Sequence, residues 1–534
     1  MAKPVTITAS GFASRKLFVA LILLLTLLAL GLRFFRLSNQ SLWTDEVSSI
    51  KVARAPLQTI YERSAVVNNS LPTYFLMLRW LSGDALDHPE LRARWLSALA
   101  GTLSIPAFIA LVYLWRRHQA AALAAGLLLA TNPLHIWYSQ ETRAYALMLF
   151  FGLLTLLSFE LARIPKPVGA GSPWKWWALY VASALAAVAL HKTALVFPAA
   201  CCLWHGLDVL RQRKGFRTLA VHIPIVIAGL LVLALKSYPP GEGYGRRQSG
   251  LEIIYTFLTF VGGYSFGPSI TDIQSHGPSF AISRHLIQTG ILFAVLALMA
   301  LALAGSSRQL LIGKETGLLF LGVGVVAVYA LISGFPYNVR YTLPALLAFL
   351  ALAAALPPKC YRRPADAPAS PLKPCVPPAD TPSPLTAAVR PAAVRQDPRL
   401  PTLTLACLLL VGLWADAQWY FSHAYRKGDS RAVAQWLAEN KDSIKTWTIL
   451  PGYLSESVEW YLQANPEILS GLRPPKEDRA TSFPPTPDAL ILGRRHHLID
   501  PDQLVTSYQS AAGPIRTNNA IAGFELYTRQ PAGR

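Results

Sequence analysis

The sequence predicts a polytopic α-helical membrane protein of about eleven transmembrane helices, followed by a small C-terminal α/β domain outside the membrane. Three observations predict it. Hydrophobic residues make up 53% of the 534 and charged residues only 15%, against about 25% charged in a typical soluble domain. The apolar residues gather into runs of about 17 to 25, the length that crosses a bilayer. Clusters of Lys and Arg fall between alternate runs, as expected of loops retained on the cytoplasmic side.

Ser14-Arg15-Lys16 precedes the first run, 17–35, and places the N-terminus inside. That run is long and lacks a clear small-x-small cleavage site, so it reads as a retained anchor rather than a signal peptide. A long exterior loop, 37–92, follows. Two weakly amphipathic stretches within it, 45–63 and 71–82, read as helices lying on the membrane surface. The second has the alternative of crossing, but it is short and Arg79 interrupts it. Further spans are expected at 93–115, 119–137, 143–162, 174–190, 193–209, 217–236, 285–304, 316–334, 341–357 and 400–419. With 71–82 left on the surface, every basic cluster of two or more lands inside. The N-terminus is then inside and the C-terminus outside.

The net charge of +20 invites a nucleic-acid partner, but its location argues against one. The segments assigned to the cytoplasmic side carry +15 of it, and residues 420–534 carry 13 Lys/Arg against 12 Asp/Glu. Of the five cysteines, Cys201, Cys202 and Cys407 lie in apolar runs, and Cys360 and Cys375 lie in a loop placed inside, so no exterior disulfide framework is implied.

The domain organisation read from this pattern is a transmembrane module over 1–357, a Pro/Ala-rich cytoplasmic linker over 358–399, a last span at 400–419 and an exterior α/β domain over 420–534. The linker composition does not bury enough apolar surface to fold. In the last domain, helices are expected at 430–440 and 454–463, strands at 445–450, 489–493 and 524–528, and a helix start at Asp500-Pro501, where an N-cap precedes proline.

On this topology Arg36, Asp45, Glu46, Gln140, Glu141, Arg143, His191, Lys192 and Arg340 share the outer face. Acids, a histidine and cations gathered at one membrane face suit an anionic, membrane-borne substrate. Asp45 is placed to take a proton from an attacking hydroxyl or amine; the plainer alternative is that Asp45 and Glu46 favour the first turn of a surface helix. In Tyr138-Ser139-Gln140-Glu141-Thr142-Arg143-Ala144-Tyr145, Glu141 is a second acid or metal ligand and Arg143 a phosphate contact, or the two form an ion pair closing a short loop. His191 is a metal or phosphate contact beside Lys192, or the two are interfacial residues. Arg340 and Arg36 match phosphate oxygens, or anchor to headgroups. No phosphate-cradling Gly-rich loop, GxSxG elbow or HExxH pair is present.

Arg33-Phe34-Phe35-Arg36-Leu37 with Ser41-Leu42-Trp43-Thr44-Asp45-Glu46, the segment Tyr138 to Tyr145, and Arg340-Tyr341-Thr342-Leu343-Pro344 together resemble the membrane glycosyltransferases of the GT-C fold. The branch they resemble holds the protein O-mannosyltransferases and lipid A aminoarabinose transferases (glycosyltransferase family 39-like). The resemblance covers about residues 17–357. It implies a polyprenyl-phosphate sugar as donor, transfer that usually inverts the anomeric centre, and a bacterial inner or plasma membrane setting. It implies Asp45 as base with Glu46 its neighbour, and Glu141 as second acid near the acceptor or a divalent metal cation, for which Glu141 and His191 are the candidate ligands. Arg340, with Lys192 or Arg36, would stabilise the departing phosphate, and Gln140, Arg143, Tyr145, His191 and Tyr341 would line the substrate site. One departure stands out. Where relatives often carry His-Pro-Pro-Leu-Tyr in the first loop, this chain has Ser70-Leu71-Pro72-Thr73-Tyr74.

The function expected is transfer of a sugar from a polyprenyl-phosphate carrier to a lipid, glycan or protein acceptor at the outer face. The alternatives are a flippase for lipid-linked sugars and a non-catalytic assembly subunit of the same fold.

Overall fold

In a computed structural model the described residues are 9–68, 71–82, 89–164, 173–234, 251–268, 278–304, 313–333, 337–355, 399–422, 425, 427–463, 487–493, 501–518, 521 and 524–529. The linker expected over 358–399, with Cys360 and Cys375, lies outside them except for Arg399, as do Ser70 and Asp500.

Among the described residues eight helices are long and apolar enough to cross a membrane, including α1 (Ala9–Phe34), whose qualifying stretch is Arg15–Phe34, and α5 (Pro89–Arg116). Their lipid-side faces stay apolar: Leu17, Leu23, Leu24 and Leu27 of α1 are each about 60% exposed, a surface that water would not tolerate. Between α1 and α5 lie three short helices, α2 (Thr44–Arg54), α3 (Leu57–Asn68) and α4 (Thr73–Ser82). Ten residues of α4 span roughly 15 Å, half the thickness of a bilayer core.

The span expected at 119–137 is two helices, α6 (Gln119–Ala130) and α7 (Pro133–Ser139), bent by 58°. Asn132 makes the break: its side chain accepts from the His135 amide at 2.9 Å, and Pro133 starts the next helix. Arg33 of α1 closes it from the other side. Its guanidinium donates to the carbonyls of Leu129 and Ala130 and meets His135 Nδ1 at 2.7 Å. The freed carbonyls of a broken helix are thereby satisfied away from water.

Then come α8 (Tyr145–Arg163), α9 (Trp174–Leu190), α10 (Val196–Gln212), which continues a 3-10 turn from Lys192, and α11 (Ile223–Ala234). The stretch between the spans expected at 217–236 and 285–304 contains α12 (Leu251–Gly262) and α13 (Pro278–Arg284), which the apolar-run reading missed because both are short. The bundle finishes with α14 (Leu286–Ala304), α15 (Lys314–Ser333), α16 (Leu343–Ala354) and α17 (Arg399–Phe421). Every residue of α16 is buried, which is why it is built almost wholly of Leu and Ala. Gly101 lets α5 lie directly against α7, since a Cβ there would sit 2.1 Å from Ser139 Oγ.

The C-terminal unit alternates α18 (Ser430–Glu439), β1 (Trp447–Leu450), α19 (Ser455–Leu462), β2 (Ala489–Gly493), α20 (Pro501–Ala512), β3 (Ile515–Asn518) and β4 (Phe524–Arg529). The sheet order is β1-β2-β4-β3, with only the β1–β2 pair parallel. Trp447, Ile449 and Ile491 pack toward α18 and α19, and Leu450, Leu490 and Leu492 toward α20. Both faces are covered, which explains the continuous apolar runs of β1 and β2. Strand β3 was not expected, because Ile515-Arg516-Thr517-Asn518 carries one apolar residue in four. The unit docks on the first loop: Tyr461 accepts from the Leu42 amide at 2.7 Å and donates to Glu90, and Arg431 pairs with Glu90 at 3.2 Å.

Candidate active site

The site is built around the start of α2. Asp45 and Glu46 occupy its first turn, but successive helical residues point about 100° apart, and the two acids meet different partners. Glu46 is fully buried. Arg94 of α5 grips it with two bonds of 2.7 Å, the Thr142 amide donates at 2.9 Å, and Lys427 lies 3.7 Å away. The same guanidinium donates to the carbonyls of Leu37, Gln40 and Ser41. Burial alone would raise the Glu46 pKa, but Arg94 and Lys427 hold it down at about 2. Its lone pairs are committed, so Glu46 shapes the corner and does not act as a proton acceptor beside Asp45.

Asp45 faces the other way and stays a third exposed. Its Oδ2 accepts from Arg340 Nη1 at 3.2 Å, across 295 residues of chain. Arg340 stands in a 3-10 turn, Val339–Thr342, where the Asn338 side chain accepts from its amide at 3.1 Å. Its Nε is buried with no hydrogen-bond acceptor among the described residues. Around it runs an aromatic wall. Tyr341 lies under the Arg340 guanidinium and stacks on His191, His191 abuts Tyr145, Tyr145 abuts Tyr138, and Tyr138 shares a 2.9 Å hydrogen bond with Tyr264.

The turn between α7 and α8 supplies the third side. Arg143 donates to Ser49 of α2 at 3.3 Å, and its carbonyl accepts from Ser97 of α5. Glu141 Oε2 is buried with no hydrogen-bond donor among the described residues. Burial raises the Glu141 pKa; Lys427 opposes the rise, and Glu46 and Asp45 add to it. The carboxyl therefore holds its proton at higher pH than an ordinary glutamate does.

Other expected contacts sort differently. Gln140 staples the end of α1, donating to the carbonyls of Leu32, Arg33 and Phe35 and accepting from Trp419. Arg36 donates to the Tyr420 carbonyl at 2.6 Å and lies over Phe421, so it lines a recess with Gln40, Gln140 and Lys427 and is not in the Asp45–Arg340 pair. His191 Nδ1 is engaged by Thr193 at 2.8 Å. Burial, then Arg143, Arg340 and Lys192, push its pKa down to about 3, so the ring is neutral. Lys192 follows it in the chain and adds to that field. Glu141 and His191 are not joined by a third ligand: among the described residues no group of three or more His, Cys, Asp or Glu could hold an ion. Arg94, Lys427 and Tyr264 were missed in the sequence. Arg94 sits in a run with Arg92 at a span's mouth, where a basic residue looks like an ordinary anchor.

No family model matches the chain, and no curated protein matches it. Among solved structures it is similar to ArnT from Cupriavidus metallidurans in the apo state, with 13% identity over 98% of this chain and 99% of that one and a TM-score of 0.48. The form of that protein bound to undecaprenyl phosphate gives 13% identity, the same coverage and a TM-score of 0.45. An oligosaccharyltransferase from Archaeoglobus fulgidus, crystallised with Zn and sulfate, gives 11% identity over 95% of this chain and 73% of that one, with a TM-score of 0.47.

Proposed function

We propose that this chain is an integral membrane glycosyltransferase that takes a sugar from a polyprenyl-phosphate carrier and passes it to a hydroxyl or amine at the outer face, with Asp45 as general base. What carries the reading is the 3.2 Å contact between Asp45 and Arg340. It joins the two residues that the resemblance assigns to proton removal and to the departing phosphate, from opposite parts of the chain.

The chemistry follows from that pairing. An acceptor oxygen or nitrogen attacks the anomeric carbon from the face opposite the phosphate, and its proton passes to Asp45. The sugar–phosphate bond breaks, and its electrons leave with the phosphate, whose growing charge a guanidinium stabilises. Without donor, Arg340 rests on Asp45. A phosphate drawing Arg340 away would free the carboxylate to act as base, so the base is exposed once the donor is in place. The open Nε of Arg340 would give the phosphate a second hydrogen bond. Tyr138, Tyr145, Tyr264 and Tyr341 supply the flat apolar faces with polar edges that a sugar ring packs on. Arg143 and Lys192 would add to the positive field. A divalent cation is not built into this mechanism, because among the described residues no group of three or more His, Cys, Asp or Glu forms a site for one.

On this reading residues 1–357 are the transferase module, 358–399 an inner linker and 400–419 a last span, with 420–534 outside. Asp45→Asn should insert and bind undecaprenyl phosphate normally yet lose transfer by about 10²-fold or more. Loss of label from polyprenyl-phosphate sugars by purified protein reads this out. Full turnover by the variant would remove the base assignment.

A further inference from the structure

The chain that delivers Asp45, from Leu37 to Trp43, belongs to no helix or strand: α1 ends at Phe34 and α2 starts at Thr44. Its backbone groups must find partners elsewhere, and side chains supply them from two sides. From the bundle, Arg94 takes the carbonyls of Leu37, Gln40 and Ser41, and Glu46 accepts from the Trp43 amide at 3.4 Å. From the C-terminal unit, Arg431 takes the Asn39 carbonyl at 2.8 Å, and the Gly428 carbonyl accepts from the Ser41 hydroxyl at 3.2 Å. The Tyr461 hydroxyl of α19 accepts from the Leu42 amide at 2.7 Å. Leu42 is fully buried, so its amide has no water in place of that phenol. The phenol's own proton goes to Glu90 at 2.7 Å, and Glu90 also pairs with Arg431 at 3.2 Å. Glu90 stands one turn before Arg94 on α5. The bonds thus close a ring that runs from the Leu42 amide through Tyr461, Glu90, one turn of α5, Arg94 and Glu46 to the Trp43 amide.

We propose that Tyr461 is a positioning residue of the transfer site: by holding the Leu42 amide it sets where α2 begins, and so where Asp45 stands, which makes the C-terminal unit a working part of the site. This rests on the glycosyltransferase reading and extends it to a part of the chain in which the sequence shows no motif. Asp45 is three residues past Leu42, in the first turn of α2, so a displaced helix start carries it along. A general base must lie within hydrogen-bond reach of the proton it takes, and a misplacement of about 1 Å can cost about 10²-fold in rate. Glu46, gripped by Arg94, anchors the α5 side of the corner. Tyr461 anchors the other side, and nothing in the apolar packing of the bundle replaces it.

The test uses the full chain in lipid nanodiscs. Tyr461→Phe keeps the ring and removes only the hydroxyl. Hydrogen exchange read by mass spectrometry, without substrate, should show the amides of residues 42–46 opening faster by about tenfold, the effect of one buried hydrogen bond lost. In transfer assays kcat should fall by about tenfold or more, with KM for carrier-linked sugar within about twofold of wild type. Ser457→Ala is the control for simple loss of stability. It removes the buried 2.8 Å hydrogen bond between Ser457 and Ser430 on the same helix, away from the first loop, and should leave kcat unchanged. The deciding measurement is the double variant: in an Asp45→Asn background, Tyr461→Phe should lower the residual rate no further, because it acts through that carboxylate. An unchanged kcat in the single variant, or an equal fall in both backgrounds, overturns the proposal. Full turnover by Asp45→Asn alone would instead sink the glycosyltransferase reading, while faster exchange over 42–46 would still show that Tyr461 holds the start of α2, so the two failures are separable.

Discussion

At the scale of single residues, adjacent acids have opposite fates because of who stands opposite them. Asp45 meets the Arg340 guanidinium and keeps a third of its surface; Glu46 accepts from Arg94 and from the Trp43 and Thr142 amides and keeps none. The dipeptide was legible in the sequence as a feature, but the division of labour was not, since it depends on Arg94, 48 residues away. Arg340 was legible by its place outside, against the rule that keeps basic residues in. Its role makes a prediction. Arg340→Met should lower kcat for transfer by about 10²- to 10³-fold, the usual effect of deleting one group that stabilises developing charge. Arg340→Lys should recover only part of this, because an ammonium lacks the planar fork. Steady-state kinetics against carrier-linked sugar decide it, and a lysine variant at wild-type rate would mean that the fork does nothing.

At the scale of elements, the first loop is positioned by rivets rather than by an apolar core of its own. Arg94 and Glu46 fasten α2 to α5, and the Thr142 amide ties the same carboxylate to the turn after α7. Glu46→Gln leaves Arg94 buried beside a neutral amide, which should destabilise the protein by about 3–5 kcal/mol. The pH dependence has a definite sign. Glu46 titrates near 2 in the folded protein, against an ordinary 4.5. Its contribution is therefore present in full above pH 4.5 and is lost as pH falls through 2. Thermal unfolding of wild type should soften across that window, and Glu46→Gln should soften less. Equal pH slopes for the two would show that the ion pair carries no net stability. Other elements were unevenly legible. Most helix ends of the long spans came from hydropathy alone within about three residues, but α1 begins eight residues and α5 four residues before the expected start, and α11 six residues after it. The break between α6 and α7 did not, because an averaged apolar window hides two residues, although Asn132-Pro133 is a helix-start pair.

At the scale of the whole molecule, the contacts in the site constrain how the chain threads a bilayer. Groups in hydrogen-bond contact share one side, so an even number of crossings separates them. Among the described residues eight helices are long and apolar enough to cross, nine with the bent pair, and we propose that the shorter helices Trp174–Leu190 and Val339–Ala354 cross as well, for eleven in all. Between Glu46 and the Thr142 amide the chain then crosses twice, by α5 and the α6–α7 pair; between Thr142 and Arg340 it crosses six times, and between Arg340 and Lys427 twice. Each count is even when α9, α16 and the bent pair cross and α4 and α12 do not. Hydropathy and the basic clusters propose eleven from the sequence; the contacts of Asp45 and Glu46 give a physical reason to include a 17-residue and a 12-residue helix in that proposed count. On this proposed count the two chain ends lie on opposite sides, and the basic clusters of the sequence would set the first one inside. A periplasm-dependent alkaline phosphatase fused after Arg534 should therefore be active, and a cytoplasm-dependent fluorescent protein at the same point dark. The same pair fused within the 358–399 stretch should reverse, since one further span separates the two positions. Activity of the same sign at both points would mean that α17 does not cross, and Lys427 would then lie across the membrane from the acid it is seen beside.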